Sequence, residues 1–253
     1  MLKDQVTMTL LEKAAQDNGF DIQLDGQDAW LAFSSSHCPL KIWMTGSVND
    51  ILILAVSDSA VAQSVSSSNV PLTSILPKGA VAAIEIQDLS SLYLFLKRTF
   101  QLSRSLPNEP LNEFKKATHS MPQSTEIERT VIQRVGQDIF RERLIDFWDG
   151  KCAVTGLSIQ QLLKASHIKP WAKCDSDAER LDVFNGLLLA PHIDALFDRG
   201  FVSFDDDGAI LISSKVGAKE LSILSVSHKM KCYGILDDHR KYLLWHRKHE
   251  FQE

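Results

Sequence analysis

The stretch that most constrains the fold of this chain spans residues 151–200, where strand, loop and helix signals follow one another closely. Residues 165–169 form a β-compatible run that ends at a proline, which has no N–H to donate to a neighbouring strand. The polar residues 171–182 predict a loop, and the apolar run 187–189 predicts a buried strand. Residues 191–198 begin with a proline and are followed closely by a glycine, which favours a short helix. The predicted order is strand, loop, strand, short helix.

This order predicts that a few polar side chains come together. His167 lies near the end of the first strand, Asn185 comes just before the second, and Asp194 lies on the helix. His192 and Asp194 are two positions apart, so we expect at most one of them to point straight into a shared site. Asp194 and Asp198 are four positions apart and can share one helical face.

Three short motifs carry a family resemblance. The order A-S-H-I-K-P at 165–170, N-G-L-L-L at 185–189 and L-F-D-R-G at 196–200 resembles the HNH endonuclease family. The resemblance covers residues 137–212. It implies a ββα-metal unit, in which two strands and one helix clasp a single divalent cation, expected here to be Mg²⁺ with Mn²⁺ as the alternative.

The resemblance also implies roles for individual residues. His167 matches the general base, and Asn185 matches the residue that supports the histidine's loop or binds the metal. The last metal-binding position, a histidine in the family, falls on Asp194, and a carboxylate suits Mg²⁺ well. His192 is a rival for this role. Ser166 stands where many relatives have a metal ligand, which would leave more of the cation's coordination to water.

The chemistry explains why these residue types are needed. Hydrolysis of a phosphodiester bond requires a base with a pKa near neutrality, which histidine supplies. It also requires charge stabilisation at the phosphate, which a divalent cation supplies. Lys169, Arg180 and Arg199 are the candidates for additional phosphate contacts.

Composition sets limits on the class of protein. A chain of 253 residues fits two modest domains, and no apolar run approaches the roughly 18 residues of a membrane span. The start of the chain has no secretory signal, so we expect a cytoplasmic protein that does not enter a membrane. The four cysteines are isolated, which argues against a structural zinc and against disulfides. Because the net charge is −5, a DNA-binding surface must be a local patch.

The chain is predicted to be an α+β protein with two domains. Residues 1–105 alternate between helical and strand patterns and predict an α+β domain with an antiparallel sheet, whose role in DNA or partner recognition stays open. Residues 106–125 contain three prolines and predict a linker. Residues 126–253 predict the HNH nuclease domain, with a lead-in of one or two helices, for which Gly136 is the candidate break, and a helix near the C-terminus.

The leading hypothesis is a metal-dependent HNH endonuclease that hydrolyses DNA, in a restriction or defence role. Double-strand cleavage would take a homodimer or two successive nicks. The alternatives are a non-catalytic DNA-binding or regulatory protein on a decayed HNH scaffold, and a structure-specific or RNA nuclease.

Overall fold

The computed structural model describes residues 5–46, 51–65, 76–106, 108–122 and 124–253. Helices combine with antiparallel sheets, which confirms the α+β class. The chain divides into two compact units, Met1–Leu106 and Pro107–Glu253. Within the described residues, every helix is too short or too polar to cross a lipid bilayer.

The first unit is built on a five-stranded sheet in which each strand pairs antiparallel with the next along the chain. The strands are β1 (Ile22–Gln27), β2 (Trp30–Ser34), β3 (Lys41–Gly46), β4 (Leu52–Val56) and β5 (Ala82–Ile86). Its helices are α1 (Gln5–Asp17), α2 (Ser59–Val65) and α3 (Leu89–Ser105). The antiparallel meander predicted for this part of the chain is therefore present.

One row of residues across strands β2 to β5 combines one large side chain with three small ones. Trp43 is 4% exposed, and its neighbours in the row are small. Ala32 and Ala55 flank it on the adjacent strands, and Ala83 follows on β5. The alanines leave room for the indole, and Leu24, Trp30 and Ile53 pack against the same cluster.

The second unit begins with two helices, α4 (Asn108–Thr118) and α5 (Glu126–Phe147). A capping box at Thr125 and Glu128 fixes the start of α5. α4 lies inside the stretch predicted as a linker, and it packs against α5. An ion pair of 2.8 Å between Arg143 and Glu113 joins the two helices. α5 runs without interruption through Gly136, so the expected break at this glycine was wrong.

The strand-loop-strand-helix order predicted for residues 151–200 is confirmed. These elements are β6 (Lys164–His167), β7 (Gly186–Leu189) and α7 (Pro191–Asp198), with the four-residue helix α6 (Asp177–Arg180) in the loop. They are followed by β8 (Val202–Phe204), β9 (Ile210–Ile212), α8 (Ala218–Ile223) and α9 (Asp237–His249). β8 and β9 form the predicted hairpin, and α9 packs against β8.

Candidate active site

The strand pair β6–β7 positions the candidate site. The two strands are antiparallel, with His167 opposite Gly186 and Ser166 opposite Leu187. β7 is buried along its whole length, and α5 packs against it. Gly186 is required here, since a Cβ atom at this position would lie 2.6 Å from Cζ of Phe140. β6 therefore sits at a fixed place on the buried core of this unit.

The ring of His167 is held by one hydrogen bond and two aromatic neighbours. Its Nε2 lies 2.8 Å from the carbonyl oxygen of Arg180. A carbonyl oxygen can only accept, so Nε2 donates and Nδ1 keeps its lone pair. Phe140 stacks on one ring face, with centroids 3.8 Å apart, and Trp171 meets the ring edge-on at 5.6 Å. Burial lowers the pKa of His167 to about 4, below the near-neutral value expected of the base and against the opposing effect of the Arg180 carbonyl, so the ring is neutral near pH 7.

Asn185 is fully buried and braces the loop that follows β6. Its Oδ1 accepts from the backbone N–H of Lys169 at 2.8 Å, and its Nδ2 donates to the Lys169 carbonyl at 3.1 Å. The same Nδ2 also lies 3.2 Å from the carbonyl of Glu179. Both atoms of the amide are therefore directed into the loop, which fits the supporting role considered for Asn185 better than the metal-binding one.

Two carboxylates and a hydroxyl meet beside the histidine. Ser166 is buried and donates to Asp198 at 3.0 Å. The pKa of Asp194 is raised by burial and by the negative charge of Asp198, and it is lowered to a lesser degree by the Ser166 hydroxyl. Burial likewise raises the pKa of Asp198. The two aspartates are thus close enough to repel each other, with Ser166 reaching both.

A cleft of about 350 Å³ brings part of this set together. Ser166, His167 and Asp198 line it, with Trp171 on the same side of the loop as the histidine. Asp194 and His192 do not line it. His192 is half-buried on α7.

The three cations predicted to contact phosphate, Lys169, Arg180 and Arg199, have different partners in the structure. The ammonium group of Lys169 lies 2.9 Å from both Asp175 and Glu179, and these two partners raise its pKa. The Arg180 guanidinium donates to the carbonyls of Cys174 and Trp171 and pairs with Asp177. Both side chains therefore hold the loop in shape.

The third cation, Arg199, is exposed at the end of α7, and its charge lowers the pKa of Asp198. Lys164 is also exposed and lowers the pKa of Asp194 from the other side. These two cations stand near the carboxylates with their charged groups available to a ligand.

Two residues of the cleft, one on α9 and one directly after it, escaped the sequence analysis. His246 and Glu250 line the cleft although they lie far along the chain from His167. The His246 ring stacks on Phe197 at 3.9 Å, donates to the Phe197 carbonyl and accepts from Ser203. His246 thereby fixes the end of α7. A basic residue pattern on α9 predicted only packing and a possible contact with DNA, and no local signal identifies this histidine.

The thiol of Cys152 is a further support that sequence patterns did not single out. It accepts the backbone N–H of Ala190 at 3.1 Å, at the residue that precedes α7. All four cysteines are buried and free. The start of the helix that carries the aspartates is therefore tied to the segment between α5 and β6.

The donor set was tested for its fit to a cation. Within the described ranges, no three His, Cys, Asp or Glu side chains are grouped as a ready-made metal site. Asp194 and Asp198 offer two mutually repelling carboxylates, and Ser166 adds a hydroxyl. Hard oxygen donors of this kind suit Mg²⁺, which keeps several water ligands. The residues present therefore fit a partly hydrated divalent cation.

Comparison with known families gives one match. Residues 152–205 match the family model described as HNH endonuclease. A search of curated proteins found no match. The family recognition drawn from the three motifs is confirmed, and the matched segment contains β6, β7 and α7. The matched segment lies within the second unit.

Proposed function

We propose that this protein is a metal-dependent endonuclease that hydrolyses phosphodiester bonds in DNA. The observation that carries the proposal is the orientation of His167. Its proton is held on Nε2 by the Arg180 carbonyl, and the ring lines the same cleft as Ser166 and Asp198. A basic nitrogen beside a cluster of hard oxygen donors is the arrangement that activates water next to a phosphate.

The reaction assigns a defined task to His167. A water molecule attacks the phosphorus atom while its proton passes to Nδ1 of the neutral ring. The bond between phosphorus and the leaving oxygen then breaks, and that oxygen takes up a proton from solvent. Asp194, Asp198 and Ser166 would hold the divalent cation, which when bound supplies charge stabilisation at the phosphate.

The assignment of the metal ligands follows the geometry of the donors. Asp194 keeps the metal-binding role suggested by the family resemblance. Asp198 is assigned to the same cation because it accepts a hydrogen bond from Ser166 and lies close enough to Asp194 to raise the pKa of that residue. We do not assign Asn185 to the metal, since its amide is spent on the loop. His192 serves as the natural comparison in a test of these ligands.

The phosphate contacts are assigned to two exposed cations that form no ion pair with another described residue. Arg199 retains its proposed role, and Lys164 is added because both stand next to the carboxylates. Lys169 and Arg180 act instead on the loop that presents the carbonyl to His167. Phosphate contacts of this kind position a protein on DNA without reading its sequence.

The two-unit organisation supports a restriction or defence role. The described residues that line the cleft all belong to the second unit, and a separate sheet domain in the same chain as a nuclease can select the DNA to be cut. Comparing cleavage of unmodified plasmid with cleavage of plasmid carrying modified bases tests this role. Equal rates on every DNA would contradict it.

A non-catalytic protein on a decayed scaffold is the second candidate. The observation that favours it is that the described residues contain no group of three metal-binding side chains. The two functions separate in one experiment, in which the purified protein is incubated with supercoiled plasmid and Mg²⁺, Mn²⁺ or a chelator.

The proposed nuclease converts the plasmid to nicked circles with a cation and leaves it intact with the chelator. Linear product at the earliest times would indicate paired cuts by two copies, whereas nicked circles alone indicate single-strand cuts. Binding without any cleavage in every cation would establish the second candidate. Faster cleavage of branched DNA or RNA than of duplex would redirect the substrate class.

A further inference from the structure

Helix α5 contributes to the environment of His167, although it lies outside the matched segment 152–205. Phe140 on α5 is 1% exposed, and its ring lies nearly parallel to the His167 ring at an angle of 15°. The centroids are 3.8 Å apart, so the phenyl ring covers one imidazole face completely enough to prevent the ring from turning on that side.

Trp171 closes a second side of the imidazole. Its ring meets that of His167 at 89°, edge to face. The indole reaches α5 at Gly136, where a Cβ atom would lie 2.5 Å from Cη2 of the tryptophan. Gly136 and Phe140 are one helical turn apart, so the same face of α5 seats the tryptophan and stacks on the histidine.

The phenyl ring cannot easily move away from the histidine. Its Cζ atom lies where a side chain of residue 186 would begin, and Gly186 makes this possible. We name the four residues Phe140, Trp171, Gly136 and Gly186 the aromatic clamp. Gly136 and Phe140 lie on α5, and Gly186 lies on β7.

The aromatic clamp restricts rotation of the His167 ring. Rotation of the imidazole about its Cβ–Cγ bond would exchange Nδ1 with a carbon atom and break the contact with Arg180. One hydrogen bond of ordinary strength favours one of two orientations only about fivefold. Packing against two aromatic rings removes the space that the flipped ring would sweep through.

We propose that Phe140 and Trp171 are positioning residues that keep Nδ1 of His167 directed into the cleft. This inference rests on the proposed nuclease function. It assigns to α5 a positioning role through Phe140, which lies outside the matched segment 152–205.

The test compares two phenylalanines on the same helix. Phe140→Leu keeps an apolar side chain but removes the flat ring, whereas Phe147→Leu is the matched control. Phe147 is also buried, and it contacts His239 rather than His167. Imidazole ¹⁵N–¹H spectra of the DNA-free protein report the tautomer and the number of ring environments, and single-turnover and steady-state cleavage give kcat and KM.

We expect Phe140→Leu to give a second set of His167 ring signals or a mixed tautomer, with kcat reduced about 10- to 100-fold and KM unchanged. Phe147→Leu should leave both readouts at wild-type values. Trp171→Leu is the second variant, because Trp171 is only half-buried and the protein should remain folded. Trp171→Leu should also lower kcat.

Wild-type His167 signals and kcat in both Phe140→Leu and Trp171→Leu would overturn the inference. An equal loss of kcat in Phe147→Leu would overturn it as well, since the effect would then reflect the helix in general. A wild-type protein that cleaves no nucleic acid would instead refute the proposed function, and the DNA-free spectra distinguish that failure from this one.

Discussion

Replacing Asn185 with alanine should destabilise the second unit strongly. The side chain is fully buried, and its removal leaves the N–H of Lys169 and the carbonyls of Lys169 and Glu179 without the partners they have at 2.8, 3.1 and 3.2 Å. A buried donor that loses its partner costs about 1–3 kcal/mol, and an ordinary hydrogen bond contributes about 1 kcal/mol. The lost contacts therefore sum to about 3–5 kcal/mol.

Urea unfolding followed by tryptophan fluorescence measures this loss. Asn112→Ala is the matched control, because Asn112 is exposed on α4 of the same unit and the substitution is identical. The control should change the free energy of unfolding by less than about 0.5 kcal/mol. A loss below about 1 kcal/mol for Asn185→Ala would refute the reasoning, since the amide could not then be holding the loop.

Three further predictions concern the cation, the DNA and pH. Asp194→Ala should weaken Mg²⁺ binding measured by calorimetry by at least about tenfold and more than His192→Ala does, and the reverse order would move the ligand to the histidine. Arg199→Ala and Lys164→Ala should each reduce the salt dependence of DNA binding by about one unit of the log–log slope, and unchanged slopes would exclude phosphate contact. Burial lowers the pKa of His239 to about 4, so the folded state favours the neutral ring, and this stabilisation is complete above about pH 6.5 and is lost as the pH falls toward 4. Between pH 7.5 and pH 5, the free energy of unfolding of the wild type should therefore fall by about 2 kcal/mol more than that of His239→Leu. Parallel pH profiles of the free energy of unfolding for the two proteins would contradict the assignment.

The order of elements around the site could be predicted because its signals are local. A proline ends β6, an apolar run of three leucines forms β7, and Pro191 starts α7, so each boundary depends on residues next to it. The same holds for the hairpin β8–β9, where the turn residues lie between two apolar runs. Periodicity and turn chemistry are sufficient for structure of this kind.

The parts that the sequence did not reveal depend on contacts between distant residues. The sequence alone indicates no partner for Lys169, but the folded loop brings Glu179 within 2.9 Å of its ammonium group. Gly136 suggests a helix break because glycine weakens helices. Its actual role is to admit the Trp171 indole, which arrives from 35 positions along the chain (171 − 136). His246 reaches the cleft only because α9 folds back onto β8.

Cleavage of supercoiled plasmid by the His167→Ala variant tests the central claim most directly. With Mg²⁺ or Mn²⁺ present, the rate should fall by about 100- to 10,000-fold relative to wild type, because the substitution removes the ring nitrogen assigned to take the proton from water. The circular dichroism spectrum and the calorimetric affinity for the cation should stay at wild-type values, which separates loss of the base from loss of the fold. Nicking at the wild-type rate by a folded His167→Ala protein would contradict the role of this histidine as the base.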